Sequence, residues 1–330
     1  MAVSGRVSQN QITLQKVYDR AFARIGVPMQ TVTSEYLDTA KDLLQLTLDE
    51  FVTTGVSLWT NGVSYMGMRA GFNQVAMPDG TLEIDRVVLL KTETTAATVT
   101  GTSPTWVVTA ASSVAPEFIG VTVSTAGFYN IALDTSTDGV SYTTHQTLDN
   151  VQMFTGAWNW IEFTPPPDAG LYFRIRETSS AAFPVTGAIF ATGGSEVQVT
   201  DIGQGDYANL PNKRTKGTVT SYYTDRRVDG PVIYLWNAPD DDHADYILQV
   251  WRKRHMIDVG DMTGRVEVPQ RWVDAIIWDL AWRLAAEIPE AKTGPGDIIT
   301  FAQRARAAIA PSETDSGVFS AAPDISMYTA

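Results

Sequence analysis

Several short clusters carry residue types able to do chemistry. Asp134, Ser136, Asp138 and Gly139 stand at positions 1, 3, 5 and 6 of an EF-hand-like loop, where side-chain oxygens would ligate a hard cation. Position 12 is His145 instead of a bidentate glutamate, and strand-like runs flank the loop. A hairpin turn at Asp138-Gly139 accounts for the same residues. Asp240, Asp241, Asp242, His243 and Asp245 form the densest acidic run, directly after Pro239. A run in sequence is not a cage in space, and a solvated turn fits it. Arg252, Lys253 and Arg254, flanked by Trp251 and His255, form a basic run on a strand-like segment. Alternate residues of a strand face opposite sides, so about half of them could meet a phosphate together. Arg252, Lys253 and Arg254 are candidates for a DNA contact or, more so, for inter-subunit pairing with acidic neighbours. Gly203-Gln204-Gly205-Asp206-Tyr207-Ala208 matches the G-x-G-x-x-G/A pattern, whose chemistry needs a helix N-terminus at the pyrophosphate. Pro211 and Asn212-Lys213-Arg214 follow, which predicts a loop. Trp158 and Trp160 alternate on one strand face, as a sugar platform or as buried core.

Composition narrows the classes. The chain has 330 residues, no cysteine and three histidines, which excludes thiolate metal sites, a cysteine nucleophile and disulfides. The histidines, at 145, 243 and 255, are too few and too scattered to suggest a metal site or a triad. Walker, G-x-S-x-G and H-E-x-x-H patterns are absent. A net charge of −13 opposes wrapping of nucleic acid. The reading assigns no catalytic residue, no metal ligand and no cofactor. Charged residues make up 18% of the chain, below the roughly 25% usual for soluble domains, which suggests a surface partly covered by partners. No apolar run reaches membrane-spanning length, and Met1 to Gln11 lacks a signal-peptide layout.

These residues need elements to position them. Leu14, Val17, Tyr18, Ala21, Phe22 and Ile25 recur at helical spacing, and Gly26-Val27-Pro28 ends the run. A second stripe runs through Leu37, Ala40, Leu44, Leu48 and Phe51. From Val63 to Leu90 the texture turns to short alternating runs. Residues 92 to 113 form a Thr/Ala/Ser-rich tract, and short strand-like runs continue to about residue 191, arguing for a β-sandwich. Between 92 and 196 only Arg174 and Arg176 oppose nine acidic residues. Strand-like runs resume at Val197, and two helical stripes follow: Val273 to Ile288, then Ile298 to Ile309. The expected organisation is therefore α+β, with a helical bundle plus a small antiparallel sheet at 1–91 and 197–310, an inserted jelly-roll-like sandwich at 92–196, and an extended arm at 311–330.

Certain phrases resemble the head-to-tail adaptor (tail accessory factor, tail tubular protein A-like) family of short-tailed bacteriophages. They are Leu43-Leu44-Gln45-Leu46-Thr47-Leu48-Asp49-Glu50-Phe51, then Ser221-Tyr222-Tyr223-Thr224-Asp225-Arg226-Arg227, then Ile233-Tyr234-Leu235-Trp236-Asn237-Ala238-Pro239, and finally Val268-Pro269-Gln270-Arg271-Trp272 leading to Leu280-Ala281-Trp282-Arg283-Leu284-Ala285. The resemblance covers about two-thirds of the chain and leaves out 92–196. Family members often carry Pro-x-Pro where this chain has Asn237-Ala238-Pro239. The resemblance implies a structural virion protein, not an enzyme. It implies a twelve-fold ring of identical subunits at the head-tail interface, joining the portal protein to the tail nozzle. DNA passes through its lumen without specific binding. Synthesis would occur in the host bacterial cytoplasm, with no membrane association. The sandwich would sit outside the ring, as decoration or as a seat for tail spikes or fibres. The competing readings are a tail or baseplate protein that binds surface glycans through the sandwich, and a carbohydrate-active enzyme.

The last segment has too few apolar residues for a core, yet holds Val318, Phe319, Ile325, Met327 and Tyr328. On the adaptor reading these anchor the arm on the portal.

Overall fold

The structure, a computed structural model, describes residues 12–53, 60–179, 181–228, 230–255 and 268–309. The chain forms two compact units: one from residues 1–60 and 255–330, the other from 61–254.

The first unit is built on helices α1 (Leu14–Arg24), α2 (Ser34–Thr53), α4 (Val273–Glu287) and α5 (Pro295–Ile309), the six-residue α3 (Gln204–Asn209) lying in the second unit. Helix α4 packs against α1, α2 and α5. Its sequence explains that position: Val273, Ala275, Ile276, Ile277, Leu280, Ala281, Leu284 and Ala285 are all buried, leaving few exposed positions. A helix apolar nearly all round belongs at the centre of its unit.

Among the described residues the second unit holds sixteen strands. In order they are β1 (Asn61–Gly67), β2 (Gln74–Ala76), β3 (Thr81–Thr102), β4 (Thr105–Val114), β5 (Phe118–Val123), β6 (Gly127–Ser136), β7 (Thr143–Met153) and β8 (Asn159–Glu162). There follow β9 (Gly170–Glu177), β10 (Val185–Gln198), β11 (Thr200–Asp201), β12 (Lys216–Gly217), β13 (Ser221–Asp225), β14 (Val232–Trp236), β15 (Ala238–Pro239) and β16 (Ile247–Arg254). Ten of them join in the order β10-β5-β8-β1-β16-β3-β4-β9-β6-β7, and β10 also pairs with β3. That second pairing closes β10, β5, β8, β1, β16 and β3 into a circuit of antiparallel pairs, a six-stranded barrel. Phe118, Trp160, Ile189, Ala191, Ile247, Tyr65 and Leu90 pack together with Trp158. Every barrel strand contributes to that set, so it is the barrel's filling.

Two further layers cover the barrel's outside. The distal half of β3 continues with β4, β9, β6 and β7 into a sheet whose inner face (Val108, Ile131, Leu133, Phe173, Ile175) packs on Ile119, Val121, Ile161 and Phe190 of β5, β8 and β10. Alternation explains the double use of those strands: Phe118 and Ile189 point into the barrel, while Ile119 and Phe190 point into the sandwich. On the other side, sheet β11-β13-β14-β2 packs Val75, Tyr222, Ile233 and Leu235 on Met66, Val87, Leu89, Leu248 and Val250.

This corrects the expected fold class. Among the described residues the protein is β-rich, dominated by a ten-stranded antiparallel sheet with four substantial helices, and it is not a helical-bundle core with a small sheet. The sheet is larger than expected in part because the Thr/Ala-rich tract extends it. Thr and Val are β-branched and favour strands, and residues 92–113 form the end of β3 and nearly all of β4. Strand β3 passes through the 91/92 position and β10 through 196/197, so the parent strands and those of 92–196 share one sheet. The sandwich core nonetheless draws only on residues between 97 and 190.

Candidate interaction surfaces

In the helical unit, the first and last adaptor-like phrases meet. Phe51 lies edge-on to Trp272 with ring centroids 5.2 Å apart. Glu50 pairs with Arg283 and, at 2.8 Å, with Arg306. Arg306 also bonds Asp279 at 2.6 Å. The Arg306 hydrogen bond holds the Glu50 carboxyl below its ordinary range. Asp279, 1% exposed, is pushed upward by burial, with Arg306 opposing. Arg24 bridges to Asp274 at 2.6 Å and covers the Trp278 ring, which stacks on Phe301.

In the β unit, the two middle phrases are the paired strands β13 and β14, with Tyr222 opposite Leu235 and Tyr223 opposite Tyr234. Tyr222 and Leu235 face the core, so Tyr223 and Tyr234 face outward. Tyr207 of α3 stacks on Tyr223 at 5.6 Å, and Tyr223 on Tyr234 at 6.2 Å. Arg227 donates to the Tyr234 hydroxyl at 2.6 Å, Asn73 donates to that of Tyr207 at 2.9 Å, and the Lys213 ammonium lies 5.5 Å from the Tyr207 ring. Beside this ladder, Arg69 covers the exposed ring of Phe72 at 4.0 Å, and the Lys216 side chain packs against Gly71. The result is an aromatic face edged by cations, of which Arg227 is paired with Asp225 at 2.8 Å and Lys216 lies 3.9 Å from Asp241. Sequence reading missed it. Period-two alternation puts Tyr223 and Tyr234 on outward faces, but which strands pair, and that α3 adds a third ring, are long-range facts.

Two members of the basic run on β16, Arg252 and Lys253, bond within their own unit. Arg252 donates to the hydroxyls of Ser64 at 2.7 Å and Thr81 at 2.9 Å, and burial with the nearby Arg254 lowers its pKa. Lys253 pairs with Glu83 at 3.0 Å and Asp85 at 3.5 Å. Arg254 ends the strand.

The remaining candidates are structural. At the β6–β7 turn, Asp138 accepts the amides of Val140 and Ser141, both at 2.8 Å, and the Ser136 hydroxyl at 2.9 Å. His145 instead meets the Pro165 carbonyl. Asp134 is buried and accepts from Arg174 at 2.8 Å and Arg176 at 3.0 Å. The acidic run is a turn in which Asp240 pairs with His243 and accepts its amide at 2.9 Å. Asp245 accepts the Trp158 indole N–H at 2.8 Å. Trp160 is 6% exposed, and both tryptophans pack in the barrel filling, so no open sugar platform exists there. Among the described residues, no three metal-ligating side chains converge, and no helix is long and apolar enough to cross a membrane. The loop expected after Gly203 is instead the short helix α3, because Tyr207 has an aromatic ladder to bury against. Six residues do not make a dinucleotide site. Val318, Phe319, Ile325, Met327 and Tyr328 lie outside the described residues.

No protein-family model matches the chain, and no curated protein matches it either.

Proposed function

We propose that the chain is a structural virion subunit of a short-tailed bacteriophage, a head-to-tail adaptor that forms a twelve-fold ring between portal and tail nozzle. One observation supports this reading above the rest: the four adaptor-like phrases, scattered from residue 43 to 285, occur as two contacting pairs. Residues 43–51 meet 268–285 through Phe51–Trp272 and Glu50–Arg283, and residues 221–225 pair with 232–236. Chance phrases have no reason to be spatial partners, whereas framework segments of one architecture do. The reading is of a protein that joins others and performs no catalysis. Arg252 and Lys253 bond within the subunit's own barrel, Arg254 remains a proposed channel or inter-subunit contact, and DNA passes a predominantly acidic subunit that repels phosphate.

The arm at 311–330 is the proposed portal anchor, through Val318, Phe319, Ile325, Met327 and Tyr328. Truncation after Ala310 tests this part. The shortened protein keeps its far-ultraviolet circular dichroism and loses attachment to the portal. Undiminished attachment would assign the anchor elsewhere.

A further inference from the structure

The aromatic and cationic face of the β unit has a counterpart on α2. Glu35, Asp38, Asp42 and Leu46 follow one another at spacings of three and four, so they form one stripe along that helix. The three carboxylates are exposed, and Leu46 is 54% exposed. Among the described residues no ion pair reaches these carboxylates, and Lys41 is a cation alongside. Asp38 and Asp42 sit four residues apart, a like-charge spacing that weakens an isolated helix. On the β unit, Arg69 covers the ring of Phe72, which is 50% exposed, Lys216 packs against the neighbouring Gly71, and Arg214 lies two residues before Lys216 in the chain; all three cations are exposed. Arg69 and Arg214 have no carboxylate within ion-pair distance among the described residues, and the Lys216–Asp241 approach is a loose 3.9 Å. One face is anionic and ends in an exposed leucine; the other is cationic and ends in an exposed phenylalanine.

We propose that these two faces are the two halves of a head-to-tail contact between copies of this chain, the cationic aromatic face of one copy docking on the α2 stripe of the next. The inference rests on the ring reading above, since a rotationally closed ring needs two different, complementary faces on each subunit. Complementary charge fixes which face meets which and speeds encounter. It also answers how a chain of net charge −13 self-associates: like copies repel except where the scarce exposed cations meet carboxylates.

Charge reversal tests it in three preparations. One variant carries R69E, R214E and K216E, a second carries E35K, D38K and D42K, and a third carries all six. All six side chains are exposed, so each variant keeps the circular dichroism of the wild type. Assembly is followed by native mass spectrometry and sedimentation in low salt, alone and with a portal, where the wild type is expected to form closed rings. Each triple variant alone is expected to assemble at least tenfold more weakly. An equimolar mixture of the two triple variants, and the six-fold variant alone, are expected to regain rings. If the triple variants form rings as the wild type does, the contact is wrong while the ring reading stands. If the wild type forms no rings at any concentration or with a portal, the ring reading itself falls, and this contact with it. Rescue by the six-fold variant without rescue by the mixture would place the two faces together within one chain and overturn the proposal. So would unimpaired assembly with lost binding to oligo-dT, which would make the tyrosine face a nucleic-acid platform.

Discussion

Phe51 and Trp272 meet edge to face, their ring centroids 5.2 Å apart and their planes at 70°. Phe51 is 3% and Trp272 1% exposed. The pair ties the end of α2 to the turn that launches α4, so the two ends of the chain are held in one unit. Phe51→Ala or Trp272→Ala is expected to cost about 3–5 kcal/mol, as large-to-small changes at buried aromatic positions do. Urea unfolding followed by tryptophan fluorescence checks Phe51→Ala, and circular dichroism checks both. A loss below about 1 kcal/mol would show that the contact does not hold the unit.

Arg306 keeps a buried carboxylate tolerable. Asp279 has a side chain 2% exposed and takes its guanidinium bond at 2.6 Å. Removing one partner of such a pair is typically worth about 3–5 kcal/mol, mainly through the charge left behind. Arg306→Ala is therefore expected to be strongly destabilising, and adding Asp279→Leu to recover a large share of the loss. Equal stability of the single and double variants in urea would refute that cause.

The barrel depends on a glycine. Gly67 lies against the backbone of Trp158, and a Cβ there would overlap the Trp158 carbonyl. Beside it, Met66 and Asn159 form the register pair joining β1 to β8. Gly67→Ala is expected to cost at least the 1–3 kcal/mol of ordinary overpacking. Gly62→Ala, on the same strand with nothing within 4 Å of an added Cβ, should change stability by no more than about 0.5 kcal/mol. Similar melting shifts for the two variants would contradict the close approach.

Asp134 makes part of the acid sensitivity. Burial pushes its carboxyl up, but bonds from Arg174 and Arg176 outweigh that and hold it below its ordinary 3.8. Its folded value is thus below its unfolded value, so its stabilisation is present above pH 3.8 and is lost as pH falls through the folded value. Asp279 runs the other way, since burial raises it and its contribution fades as pH rises past its unfolded value. Asp134→Asn is expected to lower stability at pH 7 and to flatten the decline below pH 3.8. An unchanged acid slope would remove Asp134 from the account.

Local periodicity made the helices legible. The stripes through Leu14–Ile25, Leu37–Phe51 and Val273–Ile288 correspond to α1, α2 and α4, because a helix makes its hydrogen bonds within its own segment. Sheet architecture was not legible. Nothing near Ile189 states that it pairs with Ala96, or that β10 closes a circuit with β3, since those bonds join distant segments. Alternation alone leaves Trp160 with two possible destinations, and only strand pairing sends it into the barrel. The tyrosine ladder escaped for the same reason. Asp138-Gly139 was readable as a turn because its bonds span three residues at most.

The central claim is an adaptor ring, and its most direct test is the stoichiometry of the complex with a cognate portal. Cryo-electron microscopy of the cross-linked complex is expected to show a ring of twelve copies coaxial with the portal. A single bound copy, or a number unrelated to the portal's symmetry, would contradict it.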